Sequence, residues 1–358
     1  MPTIAIVGAG AAGLAAAYEL RDASVETIIF EKSDVLTGRA ASRIRDGFVY
    51  DYGANYLKSD DQRVSELVTG VLSDGLVDTT EPVYTFDAAG TIEPGREADE
   101  HKWTYRDGLD TLGSRLAAAA DATVEHGCRV EALERVDDQW RIQLEGSTTA
   151  GGPTEHGPFD AVLLTPPAPQ TASILRETNW ADDRRTTLAD AAAAVPYRAI
   201  CTIVAAYDRP VDRRWYALVN TDREHEIGWL AREECKPGHV PDGKSLLVIQ
   251  PAPDWSDRRY NEPVDETVEE ALALTAGLLE GGDSADPDWT DPEWTDYKGW
   301  RYALPDDGLD EEHNDVARDA GLYLAGDWVA GEARLHAALR SGLDVGAAIA
   351  ADMTTGDQ

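Results

Sequence analysis

The sequence predicts an α/β fold in which a parallel sheet, assembled from the two ends of the chain, is interleaved with a sheet-rich insertion. Three observations predict it. Residues 3–31 (TIAIVGAGAAGLAAAYELRDASVETIIFE) read as strand, glycine turn, Ala-rich helix and second strand. The last forty residues return to the same texture, with a short apolar strand at 322–325 and an Ala/Gly-rich helix at 337–350. The stretch from about 168 to 294 is mixed, with alternating apolar runs that read as strands. A sheet that closes only at the C-terminus requires interleaved domains and excludes a tandem pair.

The first unit is the most informative. Thr3–Val7 is an apolar, β-branched run suited to a buried parallel strand. Gly8, Gly10 and Gly13 follow in G-x-G-x-x-G spacing. Gly8 permits the tight turn, Gly10 lets a pyrophosphate approach the backbone, and Gly13 lets helix and strand pack closely. The helix N-terminus offers free N–H groups to the anion, and Glu31, ending the second strand, can accept hydrogen bonds from a ribose. The spacing alone also fits an ordinary βαβ turn; the whole unit points to a dinucleotide in a Rossmann-like fold. Residues 4–18 carry no charge, but fifteen residues are too few to span a bilayer. No basic segment precedes them, so a signal peptide is not expected and the cytoplasm is the expected location.

The remaining elements follow in order. A polar loop covers 32–46 and an extended segment 48–57. Ser59 and Gln62 suggest a capping box for a helix running to about Leu72. Strands are expected at 83–86 and 103–105, a helix at 109–120, and a strand pair at 124–136 and 139–144. The Gly/Ser/Thr/Pro-rich 146–158 marks a hairpin tip, and 159–164 an apolar strand halted by Thr165-Pro166-Pro167. A helix near 184–194, strands at 199–207, 215–219, 227–231 and 245–250, and a helix at 265–280 closed by Gly281-Gly282 complete the insertion. The near-copies DPDWT and DPEWT in 286–296 read as an acidic surface loop, because two five-residue copies make no repeat architecture.

Composition narrows the function. With 67 acidic and 32 basic residues the net charge is −35 and the pI about 4.4. Only six of the basic residues are Lys. Such a polyanion repels nucleic acid and anionic lipid, so neither is an expected partner. Two accounts of the acid excess remain: a surface for a cationic partner, or adaptation of a halophile protein to molar salt. The second is preferred, since the Debye length there falls to about 3 Å and self-repulsion is screened. Cys128, Cys201 and Cys235 form no C-x-x-C and read as reduced thiols; neither they nor the seven histidines show metal-ligand spacing, so no metal is expected. Nothing resembles a Ser/His/Asp or Cys/His nucleophile arrangement.

Three further features bear on which dinucleotide is held. Arg39, in Leu36-Thr37-Gly38-Arg39-Ala40, is placed to face a phosphate, and the small pair Gly53-Ala54 lets backbone approach a flat ring. In YLAGDW (323–328) an acid follows a strand end and a glycine, placed to accept from a polyol. A helix beginning near Leu335 turns its N–H groups towards negative charge on a reduced flavin ring.

With these motifs the chain resembles the flavin amine oxidase superfamily, and more closely its renalase-like branch. The resemblance rests on GAGAAGL (8–14), FEKSDVLTGRAASR (30–43), DYGANY (51–56), VLLTPPAPQ (162–170), GWRYA (299–303) and LYLAGDWVAGEARLHAALRSGLDVGAAI (322–349). Two departures stand out: Thr37 replaces the usual second glycine before Gly38, and no aromatic-rich substrate motif is matched between 200 and 290.

The resemblance implies α/β architecture with an α+β insert. A Rossmann-like FAD-binding domain (1–57, 103–166, 295–358) would be interleaved with a β-sheet substrate domain (58–102, 167–294). It implies that Gly8, Gly10, Ala12, Gly13 and Leu14 hold the pyrophosphate and Glu31 the ribose, with Lys32 beside it. Arg39 would meet phosphate, with Gly38 and Ala40 beside it at the cofactor, and Gly53, Ala54, Asn55 and Tyr56 would line the isoalloxazine. Val130 would meet adenine through its backbone. Asp327 would meet the flavin chain, Thr165 and Gly326 would also contact the cofactor, and Leu335, His336 and Ala337 would face the N1/O2 edge. No cysteine lies in the C-terminal motif, so the FAD is expected to be non-covalent.

The implied reaction is hydride transfer from a small-molecule substrate to flavin N5, with reoxidation by O2 or another acceptor. Trp300, Tyr56, Asn55 and His336 are the expected pocket walls. Trp300 also reads as core and His336 as a cap of the last helix. Arg301 reads as a structural ion pair or as a group steering a phosphate-bearing substrate. Dihydro-NAD(P) isomers lead as substrates. Amine oxidation is the first alternative, and a non-catalytic flavin-binding redox sensor the second. Oligomeric state is not legible.

Overall fold

The computed structural model describes residues 1–95, 100–146, 154–279 and 287–355. Five parallel strands form one sheet in the order Thr123–Glu125, Glu26–Phe30, Thr3–Val7, Ala161–Leu164, Leu322–Leu324. First and last strands of the chain thus meet in one sheet, as the interleaved reading required. The central strands are almost wholly apolar because both faces are covered. Helices Ala11–Leu20, Thr111–Ala120 and Leu335–Thr355 cover one face. The first and last of these cross closely, since a Cβ at Gly342 would lie 2.1 Å from the Ala12 carbonyl oxygen. Helices Ala168–Glu177 and Asp183–Ala194 and a three-stranded sheet (Val130–Val136, Gln139–Leu144, Glu155–Phe159) cover the other.

A seven-stranded sheet forms the second body. Its order is Trp294–Pro305, Tyr197–Tyr207, Ser245–Pro251, Ile227–Arg232, Ala217–Asn220, Val83–Phe86, Ile92–Pro94. Alternation along the strands splits its faces. Ile203, Ala205 and Tyr207 pack towards helix Val264–Leu279, whereas Val204 and Ala206 pack towards Phe48 and Tyr50 of the first body.

Several sequence expectations are corrected. Segments 58–78 and 167–194, expected in the substrate domain, pack on the parallel sheet: Val64 and Leu67 join its first core, Ala168 and Leu188 its second. Trp294–Pro305, expected in the FAD domain from 295 onward, pairs with Tyr197–Tyr207 as an edge strand of the other sheet. Trp294 and Thr295, the last two residues of DPEWT, therefore open this strand, and Trp289 of DPDWT is buried, its carbonyl accepting from the Tyr207 hydroxyl at 2.9 Å. Helix Gln62–Thr69 is capped by Asp61, whose Oδ1 accepts from the Val64 N–H at 2.9 Å, and not by Ser59. The run at 124–136 is two elements: Thr123–Glu125 is a parallel edge strand, and only Val130–Val136 pairs with Gln139–Leu144. The loop expected at 146–158 becomes the strand Glu155–Phe159 at its end, while 147–153 and Gly281-Gly282 lie outside the described residues.

Candidate active site

A cavity of about 2440 Å³ runs from the first glycine turn to the second sheet. Sites for one small molecule span roughly 300–1,000 Å³, so this one has room for a dinucleotide and a second molecule together. At its origin Gly8 has φ +98°, and a Cβ there would lie 2.7 Å from Thr165 Oγ1. Thr165 donates to the Val7 carbonyl at 2.8 Å, locking strand end to strand end. Gly13 meets the Gly8 carbonyl, with 2.1 Å left for a Cβ. Among the described residues, Gly10 has nothing within 4 Å of its Cβ position and starts a helix that no side chain caps. An open approach at Gly10, a packed Gly13 and uncapped N–H groups fit a pyrophosphate. Glu31, buried, accepts from the Ala9 N–H at 2.8 Å and the Ser33 N–H at 2.9 Å.

Of the expected cofactor residues, Gly8, Gly10, Ala12, Glu31, Lys32, Gly38, Arg39, Ala40, Gly53, Ala54, Asn55, Tyr56, Val130, Thr165, Gly326, Asp327, Leu335 and His336 line this cavity. Three do not. Gly13 and Leu14 face the helix–strand contact, and Ala337 is fully buried while its neighbour Ala338 reaches the wall. Helical spacing explains the last case, because 335 and 338 share a face and 337 points away from it. Arg39, expected to meet phosphate, turns to Asp327 Oδ1 at 2.7 Å and donates to the Ala303 carbonyl at 2.9 Å. Burial alone lowers its pKa, but Asp327 more than offsets this and holds it raised. Lys32 moves the other way: burial and the neighbouring Arg129 depress it.

The expected pocket walls meet at the far end. Trp300 stacks on Tyr52 at 5.6 Å between centroids and donates from Nε1 to the Tyr52 carbonyl at 3.0 Å. Tyr56 lies 6.1 Å from the Trp229 ring, and burial raises its hydroxyl pKa. His336 is buried against Glu332 at 3.2 Å, with a pKa lowered by burial. Arg301 forms no ion pair among the described residues; it lies 4.9 Å over the Tyr260 ring.

Sequence reasoning missed the floor. Thr85, Val219, Trp229, Gln250, Thr202 and Lys298 form one row across six adjacent strands. Val219 pairs with both Thr85 and Trp229, Trp229 with Gln250, and Thr202 with Lys298; Gln250 reaches Thr202 Oγ1 at 3.4 Å. All but Thr202 line the cavity. Their common face follows from cross-strand register, which a single sequence does not carry. Trp229 puts an aromatic ring from the 200–290 stretch on this floor, although no substrate motif marks it in the sequence.

Outside the cavity, Asp51, Glu233 and His239 cluster with metal-ligand geometry. The Lys236 ammonium bridges it, 2.8 Å from Asp51 and 2.7 Å from Glu233. His239 Nδ1 faces Glu233 at 2.9 Å and Nε2 faces the Tyr105 carbonyl at 2.9 Å. Both partners accept only, so both ring nitrogens carry hydrogen and the imidazole is cationic. Two cations and two carboxylates thereby tie strand Phe48–Asp51 to the segment that follows strand Ile227–Arg232.

A dinucleotide-type turn opening onto a cavity floored by a second sheet defines a two-part fold of the nucleotide-binding class. Residues 79–350 match the model of flavin containing amine oxidoreductases, and residues 6–70 that of the NAD(P)-binding Rossmann-like domain. The chain belongs to the flavin-containing amine oxidoreductase family. Protoporphyrinogen oxidase 2 of Arabidopsis thaliana is 35% identical over 65 residues, 18% of this chain and 13% of that enzyme. Among solved structures, a candidate protoporphyrinogen oxidase of Exiguobacterium superposes with a TM-score of 0.75 at 16% identity, covering 98% of this chain and 99% of the other. Cyclohexylamine oxidase of Brevibacterium oxydans superposes with 0.73 at 15% identity, covering 99% of each. These structures share the fold. Among the described residues no helix is long and apolar enough to cross a membrane.

Proposed function

We propose that the chain is an FAD-dependent oxidoreductase of renalase-like type, oxidising dihydro-NAD(P) isomers, with O2 or another acceptor reoxidising the flavin. FAD, held non-covalently, supplies the two-electron acceptor. The glycine turn and Glu31 would hold its adenosine and pyrophosphate; Gly53–Tyr56, Asp327 and Leu335 would flank the rest. Trp300, Tyr56, Asn55 and the sheet row then position the donor carbon, about 3–3.5 Å from its acceptor in a productive arrangement, and exclude water.

One observation carries the substrate reading. Lys298 and Arg301 line the cavity, lie over aromatic rings (5.1 Å over Trp300 and 4.9 Å over Tyr260), and have no carboxylate partner among the described residues. In a chain of net charge −35, such cations suit a phosphate-bearing substrate. Oxidation of amines is the second reading, favoured by the aromatic walls of Tyr56, Trp229 and the Tyr52–Trp300 stack.

Anaerobic mixing of the yellow protein with dihydro-NAD(P) isomers and with an amine panel, in molar salt, separates these. Rapid bleaching by the isomers, with peroxide on admission of air, is expected. Bleaching by amines alone overturns the leading reading, and bleaching by nothing favours a flavin-binding sensor. Acid precipitation should leave the flavin in the supernatant; flavin retained in the pellet would contradict non-covalent binding.

A further inference from the structure

Two cavity-lining residues carry buried polar atoms of opposite type with no partner among the described residues: Asn55 Oδ1, an acceptor, and Trp229 Nε1, a donor. A third wall residue, Arg198, has an unpaired Nε by hydrogen-bond geometry but lies 2.6 Å from Asp306 and is neutralised there. Gln250 stands between the first two, opposite Trp229 in the ladder and bonded to Asn55.

The orientation of both amides is determined. Gln250 Nε2 donates to the Gly53 carbonyl at 3.1 Å, and a carbonyl only accepts. Gln250 Oε1 must therefore face Asn55, 3.1 Å from Nδ2. The Asn55 nitrogen is thus engaged, and its oxygen is the atom left over. A buried acceptor and a buried donor without partners each destabilise the protein until something completes them. An amide edge, which presents one N–H and one C=O side by side, completes both.

We propose that Asn55 and Trp229 read the carboxamide of a nicotinamide substrate, Asn55 accepting from its N–H and Trp229 donating to its carbonyl, with Gln250 as the positioning residue. This rests on the dihydro-NAD(P) reading above. Flavin presents an imide edge of the same chemistry, and the experiment separates the two sources.

The probe pair is NAD+ and its 3-acetylpyridine analogue, which keeps the carbonyl and replaces the amide nitrogen by methyl. Each is titrated into the holoprotein and followed by perturbation of the flavin spectrum. A site built around a hydrogen bond rejects the analogue that lacks it, so the wild type should prefer NAD+ by about tenfold or more. Asn55→Leu should bring that ratio to about one. Gln250→Leu frees the Asn55 amide to turn and should also reduce the ratio, whereas Gln250→Glu still accepts from Asn55 and should restore it. Trp229→Phe should weaken both ligands equally.

A ratio that survives in Asn55→Leu overturns the proposal. If that variant also loses flavin affinity, the edge being read is the flavin's own. A wild type that binds both ligands without preference sinks this inference alone. If it binds neither ligand and no dihydro isomer bleaches the flavin, the proposed substrate class falls and takes the inference with it.

Discussion

Gly10 and Gly13 occupy one turn of one helix and answer to different neighbours. At Gly13 a Cβ would lie 2.1 Å from the Gly8 carbonyl oxygen, so backbone must move. At Gly10 a Cβ meets no atom of the described residues within 4 Å and φ is −73°, which any residue adopts. Gly10→Ala should therefore leave the apoprotein melting temperature unchanged while lowering flavin affinity, because the methyl enters only the open space proposed here for the cofactor. Gly13→Ala should lower both, with overpacking costing about 1–3 kcal/mol. Thermal melts of apoprotein beside flavin titrations distinguish the two, and equal losses of stability would refute the assignment. Both glycines were legible in the sequence, since their spacing is local. Gln250 was not: its role comes from facing Gly53 and Asn55 across nearly two hundred residues.

Elements were legible where their signal is a short-range pattern. The strands at 199–207 and 245–250 and the helix at 265–280 lie within two residues of Tyr197–Tyr207, Ser245–Pro251 and Val264–Leu279. Pairing was not, because 124–136 reads as one run yet divides between two sheets, and 294–305 has no internal mark of the sheet it joins. The Arg39–Asp327 pair shows what such pairings do for the elements. Asp327 follows the last parallel strand, Arg39 lies in the loop after the second, and Arg39 also bonds carbonyls of the edge strand Trp294–Pro305. Three elements are held by one guanidinium. Asp327→Ala leaves that charge with carbonyls alone, and should destabilise by about 1–3 kcal/mol given the partial exposure of the arginine. The double variant Asp327→Ala with Arg39→Met should recover part of this in chemical denaturation. No recovery would mean that Asp327 acts through its own bond to the Trp328 N–H.

At the scale of the molecule, opposite electrostatic regimes coexist. The surface carries most of a net charge of −35, whereas the buried junction between strand Phe48–Asp51 and the segment after Ile227–Arg232 is balanced by Asp51, Glu233, Lys236 and His239. Burial lowers the pKa of His239, but Glu233 and Asp51 together raise it by more. Its contribution to stability is therefore complete below the ordinary imidazole value of 6.5 and disappears as pH climbs through the raised folded value. Asp51 works in the opposite direction. Burial opposes its charge, but Lys236 and His239 hold its pKa below 3.8, so its contribution is complete above that value and lost on acidification through the folded value. Melting temperature should fall as pH rises above 6.5, and His239→Gln should flatten that limb. Salt should act on the surface only. At 0.01 M ionic strength the Debye length is about 30 Å and repulsion acts across the whole molecule, while at 1 M it is about 3 Å. Stability should then rise with KCl, at roughly 2 °C per kcal/mol for a chain of this size. Buried pairs are screened far less. The alkaline loss should therefore persist, with its midpoint little moved, in molar KCl. A melting temperature independent of salt would remove self-repulsion as a determinant of stability, and an alkaline limb abolished by salt would place the titrating charge on the surface instead of at the junction.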